Sequence, residues 1–210
     1  MRVVIAGGHG KIALLTTRLL ARRGDEVVSL VRNPDHFPDV RDAGGTPVLC
    51  DLETADRASV AEHLEGADAA LFAAGAGPGS GVARKDTVDR AASALFASAA
   101  EQAGVTRFVQ ISTTGIGRTT GDEVFDAYLK AKGEAEDDLK ARPLDWTILR
   151  PGRLTDDPGT GLVELADTVR RGDVPRADVA AVVVKLLDTP TTVGRTYELV
   201  SGSTPIEDAV

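Results

Sequence analysis

Apolar positions along this chain follow two rhythms. Short runs of consecutive aliphatic or β-branched residues alternate with longer stretches in which apolar residues return every three or four positions. The first pattern marks strands buried on both faces, and the second marks helices with one apolar side. Val3–Ala6, Val27–Val31, Pro47–Cys50, Ala69–Ala73, Arg107–Ile111 and Asp145–Leu149 therefore read as six strands. Lys11–Arg23, Ala58–Leu64, Thr87–Ala103 and Glu123–Ala141 read as helices. Ile12, Leu15, Leu19 and Leu20 share one face of the first helix, and Gly24 stops it.

Beyond the sixth strand the pattern loosens. Gly161–Ala166 reads as a strand or a short helix, Asp178–Leu187 as a helix with Asp178 at its N-cap, and Thr196–Val200 as a last strand. Strands alternating with helices over short connections predict an α/β fold. Right-handed crossovers return each helix to the sheet, so the expected form is doubly wound, mostly parallel, with helices on both faces. A chain of 210 residues suits one hydrophobic core, so residues 1–210 are expected to form a single domain. Its part from about residue 152 onward would lie on the substrate side.

Composition narrows the picture. Hydrophobic residues make up 42% and aromatic ones only 4%, which suits Ala-, Val- and Leu-rich helices on a sheet better than a β-sandwich. The net charge of -8 argues against nucleic acid as a partner, since that binding draws on neutralised phosphates. Cys50 is the sole cysteine, which excludes an internal disulfide and points to the cytoplasm; with only His9, His36 and His63, no metal site is expected. No apolar stretch reaches the roughly 18 residues of a membrane span, and no leader pattern opens the chain. A soluble protein is expected, as a monomer or a weak homodimer through the Ala-rich helix.

The candidate chemistry begins at "AGGHGKIA", between the first strand and the first helix. Gly7, Gly10 and Ala13 stand as G-x-x-G-x-x-A, a variant of the dinucleotide-binding spacing. There Gly7 turns the chain, Gly10 lets backbone N–H groups approach a pyrophosphate at the helix N-terminus, and Ala13 allows close helix–sheet packing. His9, Lys11 and Ile12 complete this loop and first turn, with His9 read as a neighbour of solvent or phosphate. Arg32, followed by Asn33, ends the second strand where a carboxylate would select NAD, so NADP(H) is preferred over NAD(H), with Asp35 close by as an opposing charge. Asp51 and Leu52 are placed to contact adenine, although Asp51 equally suits a cap on the next turn.

Tyr128 and Lys132, written Y-x-x-x-K, share one face of the charged helix. A phenol is a weak acid–base group at neutral pH, and a close ammonium favours its phenolate, which would let Tyr128 protonate a carbonyl oxygen. Equally, Tyr128 is the kind of half-buried aromatic that any amphipathic helix carries.

The stretches "VVIAGGHGKIA", "VVSLVRNP", "CDLETAD", "ADAALFAAGAG", "RFVQIST", "YLKAKGEAEDDL", "LDWTILRPGRL", "VPRADVA" and "TPIEDAV" together resemble an atypical short-chain dehydrogenase/reductase. The similarity is to the NAD(P)-binding, NmrA-like and biliverdin reductase B (flavin reductase)-like branch. This resemblance implies a Rossmann-like domain in which Ala73, Ala74 and Gly75 run beneath the cofactor and Pro151 borders the nicotinamide. It also implies that Lys132 holds the nicotinamide ribose and that a hydroxyl after the fifth strand, Thr113 before Ser112, steadies the substrate oxygen. The function it implies is an NADP(H)-dependent oxidoreductase passing hydride to a small carbonyl, quinone or flavin-like acceptor. A non-catalytic NADP(H) sensor is the alternative, and a sugar-nucleotide epimerase or dehydratase is disfavoured because little chain follows the sixth strand. The acceptor cleft would lie among Gly75–Arg84, Thr114–Asp122 and Gly152–Thr160, loops in which the sequence shows no charged cluster that names a ligand.

Overall fold

A computed structural model describes residues 1–77 and 79–210. Pro78, inside the expected loop Gly75–Arg84, lies outside the described residues. The strands are β1 (Arg2–Ala6), β2 (Glu26–Val31), β3 (Thr46–Leu49), β4 (Ala69–Phe72), β5 (Arg107–Ile111), β6 (Asp145–Pro151), β7 (Arg153–Thr155), β8 (Leu162–Ala166), β9 (Asp173–Pro175), β10 (Arg195–Ser201) and β11 (Thr204–Pro205). The α-helices are α1 (Lys11–Arg23), α2 (Phe37–Asp42), α3 (Arg57–Leu64), α4 (Val82–Arg84), α5 (Ala92–Ala103), α6 (Glu123–Lys140), α7 (Arg176–Asp188) and α8 (Ile206–Ala209).

One sheet carries the order β11-β8-β10-β6-β5-β4-β1-β2-β3. From β3 to β10 every neighbouring pair is parallel, while β8 and β11 add an antiparallel edge. The alternation within β1 shows why a continuous apolar run was needed. Val3 and Ile5 face Ala13 and Leu20 of α1 and Val182 of α7, whereas Val4 and Ala6 face Val60 and Leu64 of α3 and Phe96 of α5. Phe96 packs between Phe72 and Phe108, with ring centroids 6.3 and 5.7 Å away. Each such buried side chain contributes about 1.5–3 kcal/mol, which is why strands in this position tolerate no polar face.

The ends of the helices are set by local chemistry. Gly24 ends α1 at φ 92°, a left-handed conformation in which its N–H reaches the carbonyls of Ala21 and Leu20. The C-terminal carbonyls of α7 are taken by the Arg107 guanidinium, which donates to Leu186 and Leu187.

Several expectations are corrected. Asp178 is not an N-cap: it lies in the first turn of α7, behind Pro175, and its buried carboxylate accepts the N–H groups of Thr160 and Gly161 at 2.9 Å. The acid serves a loop distant in sequence. Thr87–Ala103 is not one helix, because Lys85–Ala91 winds as a π-helix before α5 begins. Leu162–Ala166 takes the strand form, one of the two expected for it, and β6 runs two residues past the apolar run to Pro151. The chain after residue 152 is woven into the main sheet through β10, and α7 packs on α1.

Candidate functional site

The strand order reverses between β1 and β4, since β2 and β3 extend the sheet one way and β5 and β6 the other. Ligands of such sheets bind outside the carboxyl ends of strands at that reversal. The turn after β1 lies there and leaves no room for side chains. A Cβ on Gly7 would come 2.6 Å from Ala74 Cα, and Gly7 itself has φ +75°. Gly8, which spacing did not single out, is as constrained, because its Cβ would lie 2.4 Å from Ser29 Cβ.

Gly10 begins the first turn of α1. Its own N–H donates to Gly7 O at 2.9 Å and closes the turn. The groups left at the N-terminus of α1 are the N–H groups of Lys11, Ile12 and Ala13, with no side-chain cap and no acidic residue in the first turn. Such an end, carrying the positive pole of the helix dipole, suits an anion. The Ile12 side chain packs toward the core, while the Lys11 ammonium reaches Asp156 at 2.5 Å.

A cleft of about 320 Å³ opens beside this turn. Gly7, His9 and Gly10 form one wall, Ala73, Ala74 and Gly75 another, and Arg32, Asp51 and Leu52 the far end. Cys50 lies there too, its thiol pushed up by burial and by the Asp51 charge. His9 stacks on His36 at 3.6 Å and pairs with Asp39 at 2.7 Å. Asn33 caps the turn at Asp35, and Asp51 caps its own turn by accepting the Glu53 N–H at 3.0 Å. Glu53 stands between two guanidiniums, 3.5 Å from Arg32 and 2.6 Å from Arg84. Hydrogen bonds from Arg84 and Thr87 hold its carboxyl below the usual range.

At the ends of β4 and β5 the chain gathers buried charges. Lys132, on α6, lies 3.2 Å from Ile111 O, 3.5 Å from Ala74 O and 3.3 Å from Asp89 Oδ1. Asp89 and Lys85 come from the π-helix. Asp89 also accepts the Ala76 N–H, and Lys85 donates to Gly77 O at 3.0 Å, so this segment ties down the loop after β4. Both ammonium groups flank the half-buried Tyr128 ring, at 5.3 Å for Lys85 and 6.0 Å for Lys132 from its centroid. A π-helical turn in such a place is a common mark of a functional site, because it shifts the phase of the side chains it presents.

The two hydroxyls after β5 diverge. Ser112 donates to Glu136 at 2.6 Å in the interior, where Arg150 also binds that carboxylate. Thr113 lies on the wall of a second cleft, of about 740 Å³, together with Gly152, which follows the buried Pro151. Phe125 and Leu129, the helical neighbours of Tyr128, line the same cleft. Arg118 and Arg153, from two of the loops expected to form the acceptor cleft, line it as well, together with Arg170 and Arg171. Arg170 and Arg171 reach the cleft from a turn beyond the three loops named in the sequence.

The glycine cradle, the open helix end and the cleft running from it to Arg32 fit a dinucleotide. Its pyrophosphate would lie on the α1 N-terminus and its adenosine ribose toward Arg32. The model of the "NAD(P)H-binding" family matches residues 7–190, beginning at the first glycine of that cradle. The chain belongs to the NAD(P)H-binding family. Among its relatives, the Bacillus subtilis protein named "Uncharacterized sugar epimerase YhfK" is 34% identical, over 100% of this chain and 99% of its own. A solved Bacillus halodurans structure, provisionally named an NAD-dependent epimerase/dehydratase, superposes with a TM-score of 0.91 at 34% identity and covers 98% of this chain and 96% of that one. The Lactococcus lactis oxidoreductase ylbE gives 0.88 at 26% identity, covering 100% and 94%.

The family match gives no role to the second cleft. Lys85, Asp89, Glu53 and Arg84 escaped the sequence reading because each acts across a fold contact rather than within a motif. Gly8 was legible in principle as part of the run "GGHG". Among the described residues no helix is long and apolar enough to cross a membrane, and no cluster suited to a metal ion is present.

Proposed function

We propose that this protein is an NADPH-dependent reductase whose acceptor, a small carbonyl, quinone or flavin-like compound, occupies the second cleft. The observation that carries this reading is the position of Lys132. Its ammonium contacts Ala74 O, on the wall of the dinucleotide cleft, and Ile111 O, two residues before Thr113 on the wall of the second. One buried cation therefore ties together the backbone at two strand ends, each of which leads into one of the clefts.

The reduced nicotinamide supplies hydride when bound. The chain's residues hold and orient around that transfer. The α1 N-terminus takes the pyrophosphate, Arg32 and Arg84 take the 2′-phosphate, and Ala73–Gly75 form a flat wall without bulky side chains. Tyr128, on the helix that carries Lys132, donates its hydroxyl proton to the acceptor oxygen, and Thr113 is the hydroxyl on the acceptor side. Ser112 instead anchors the loop through Glu136. The oxidoreductase name of the Lactococcus lactis neighbour agrees with this chemistry.

The test is NADPH oxidation by the purified chain against a panel of quinones, flavins and aromatic aldehydes. Turnover with at least one acceptor, and its loss in Tyr128→Phe, is expected. NADPH binding without turnover on any acceptor would overturn the reductase reading in favour of a redox sensor.

A further inference from the structure

The far end of the first cleft already holds an anion of the chain's own. Glu53, in the loop after β3, accepts from three separate segments. Arg84 of α4 aims its guanidinium fork at this carboxylate, with Nη2 2.6 Å from Oε2 and Nε 3.5 Å from Oε1. The Thr87 hydroxyl, from the π-helix, donates to Oε1 at 2.7 Å. Arg32, just after β2, lies 3.5 Å from Oε2. Hydrogen bonds from Arg84 and Thr87 hold the Glu53 carboxyl below the usual range, so it keeps its charge at neutral pH.

Two guanidiniums and a hydroxyl converging on one point are donors suited to a phosphate as well as to a carboxylate. Glu53, Arg32 and Arg84 all line the cleft that has the glycine turn on another of its walls. Asp51, the other carboxylate on that wall, is turned to the Glu53 N–H and leaves the guanidiniums to Glu53. The hold on Arg32 is the looser one. Its side chain is 55% exposed against 35% for that of Arg84, so it is free to turn toward a ligand.

We propose that Glu53 sets the nucleotide specificity of this end by competition: its carboxylate takes the place of a phosphate on the adenosine ribose, and a nucleotide bearing that phosphate displaces it from Arg32, Arg84 and Thr87. This rests on the reading that the dinucleotide lies with its adenosine ribose toward Arg32. A nucleotide without the phosphate leaves the Glu53 contacts in place. One with the phosphate gains those donors but meets the repulsion of the carboxylate it has displaced, so the chain discriminates less sharply than Arg32 and Arg84 alone would allow.

The experiment titrates adenosine 2′,5′-bisphosphate and adenosine 5′-monophosphate, which differ only by the 2′-phosphate, into the full chain by calorimetry. The parent, Glu53→Gln and Glu53→Ala are compared at low and at physiological salt. Both substitutions are expected to tighten the bisphosphate about fivefold or more and to move the monophosphate by less than about twofold, with the gain shrinking as salt rises. If Glu53 instead serves to orient the two guanidiniums, both variants bind the bisphosphate more weakly, Glu53→Ala most of all, and the proposal is overturned. Unchanged bisphosphate affinity, loss of both probes in the variants, or absence of bisphosphate binding in all three proteins overturns it as well. Neither probe carries a nicotinamide, so the result is read independently of NADPH turnover, on which the reductase reading stands or falls.

Discussion

The Lys132 ammonium lies 3.3 Å from Asp89 Oδ1, with the two side chains only 5% and 0% exposed. The carboxylate oxygen is at ion-pair distance without a well-aligned hydrogen bond, and its partner oxygen is taken by the Ala76 N–H. Asp89 therefore fixes both the cation and the loop after β4. Removing one member of a buried pair costs about 3–5 kcal/mol, since the other charge is left stranded. Asp89→Ala is expected to lose that much stability in chemical denaturation, and Asp89→Leu/Lys132→Met to recover most of it. A loss in Asp89→Ala below about 1 kcal/mol would mean that water reaches the pair.

On the proposed reductase reading, Tyr128 serves the chemical step and not the binding of the nucleotide. Tyr128→Phe is expected to lower the rate of NADPH oxidation by about 10²–10⁴-fold while leaving the NADPH dissociation constant unchanged, as for a general acid that touches the acceptor. Steady-state rates beside fluorescence titrations check this. A Phe variant of full activity would return Tyr128 to a packing role.

Glu136 links acid stability to the core of α6. Burial pushes its carboxyl upward, but hydrogen bonds from Arg150 and Ser112 prevail and hold it below the ordinary range. A depressed folded value stabilises the protein above the unfolded value of about 4.3, and that stability is lost as pH falls through the folded value. The parent is thus expected to lose stability below about pH 4.3. Glu136→Gln is expected to be about 1–3 kcal/mol less stable at neutral pH, with a flatter decline in acid. Denaturation midpoints measured from pH 7 to pH 3 decide this.

Gly8 tests the cradle by sterics alone. With its Cβ placed 2.4 Å from Ser29 Cβ, Gly8→Ala forces β1 and β2 apart, at a cost of about 1–3 kcal/mol typical of overpacking. NADPH affinity falls with it. Ser29→Gly in the same chain removes the obstructing atom and is expected to restore part of both, a coupling that a double-mutant cycle measures.

What the sequence revealed and what it hid divide along one physical line. β1, α1 and β5 were legible because periodicity and caps act within a few residues; Lys11–Arg23 runs from Gly10 to Gly24, both turn residues. The cradle at Gly7 was legible because a glycine-rich turn between strand and helix has few uses. Asp178 was misread because its N–H partners, at Thr160 and Gly161, come from another element. Lys85 and Asp89 were hidden by a local change of helical pitch, which no apolar period announces. The arginine-lined cleft was invisible for a similar reason, since Arg118 and Arg171 line it from segments far apart in the sequence.

The central claim is a dinucleotide site that prefers NADPH, and titration by reduced-nicotinamide fluorescence tests it most directly. Arg32 and Arg84, held on either side of Glu53, are the cations available to a 2′-phosphate. NADPH is expected to bind at least about tenfold tighter than NADH. Arg32→Ala is expected to remove most of that difference by weakening NADPH alone. Equal affinity for the two nucleotides in the parent, or a preference that persists without Arg32 and Arg84, would contradict the account.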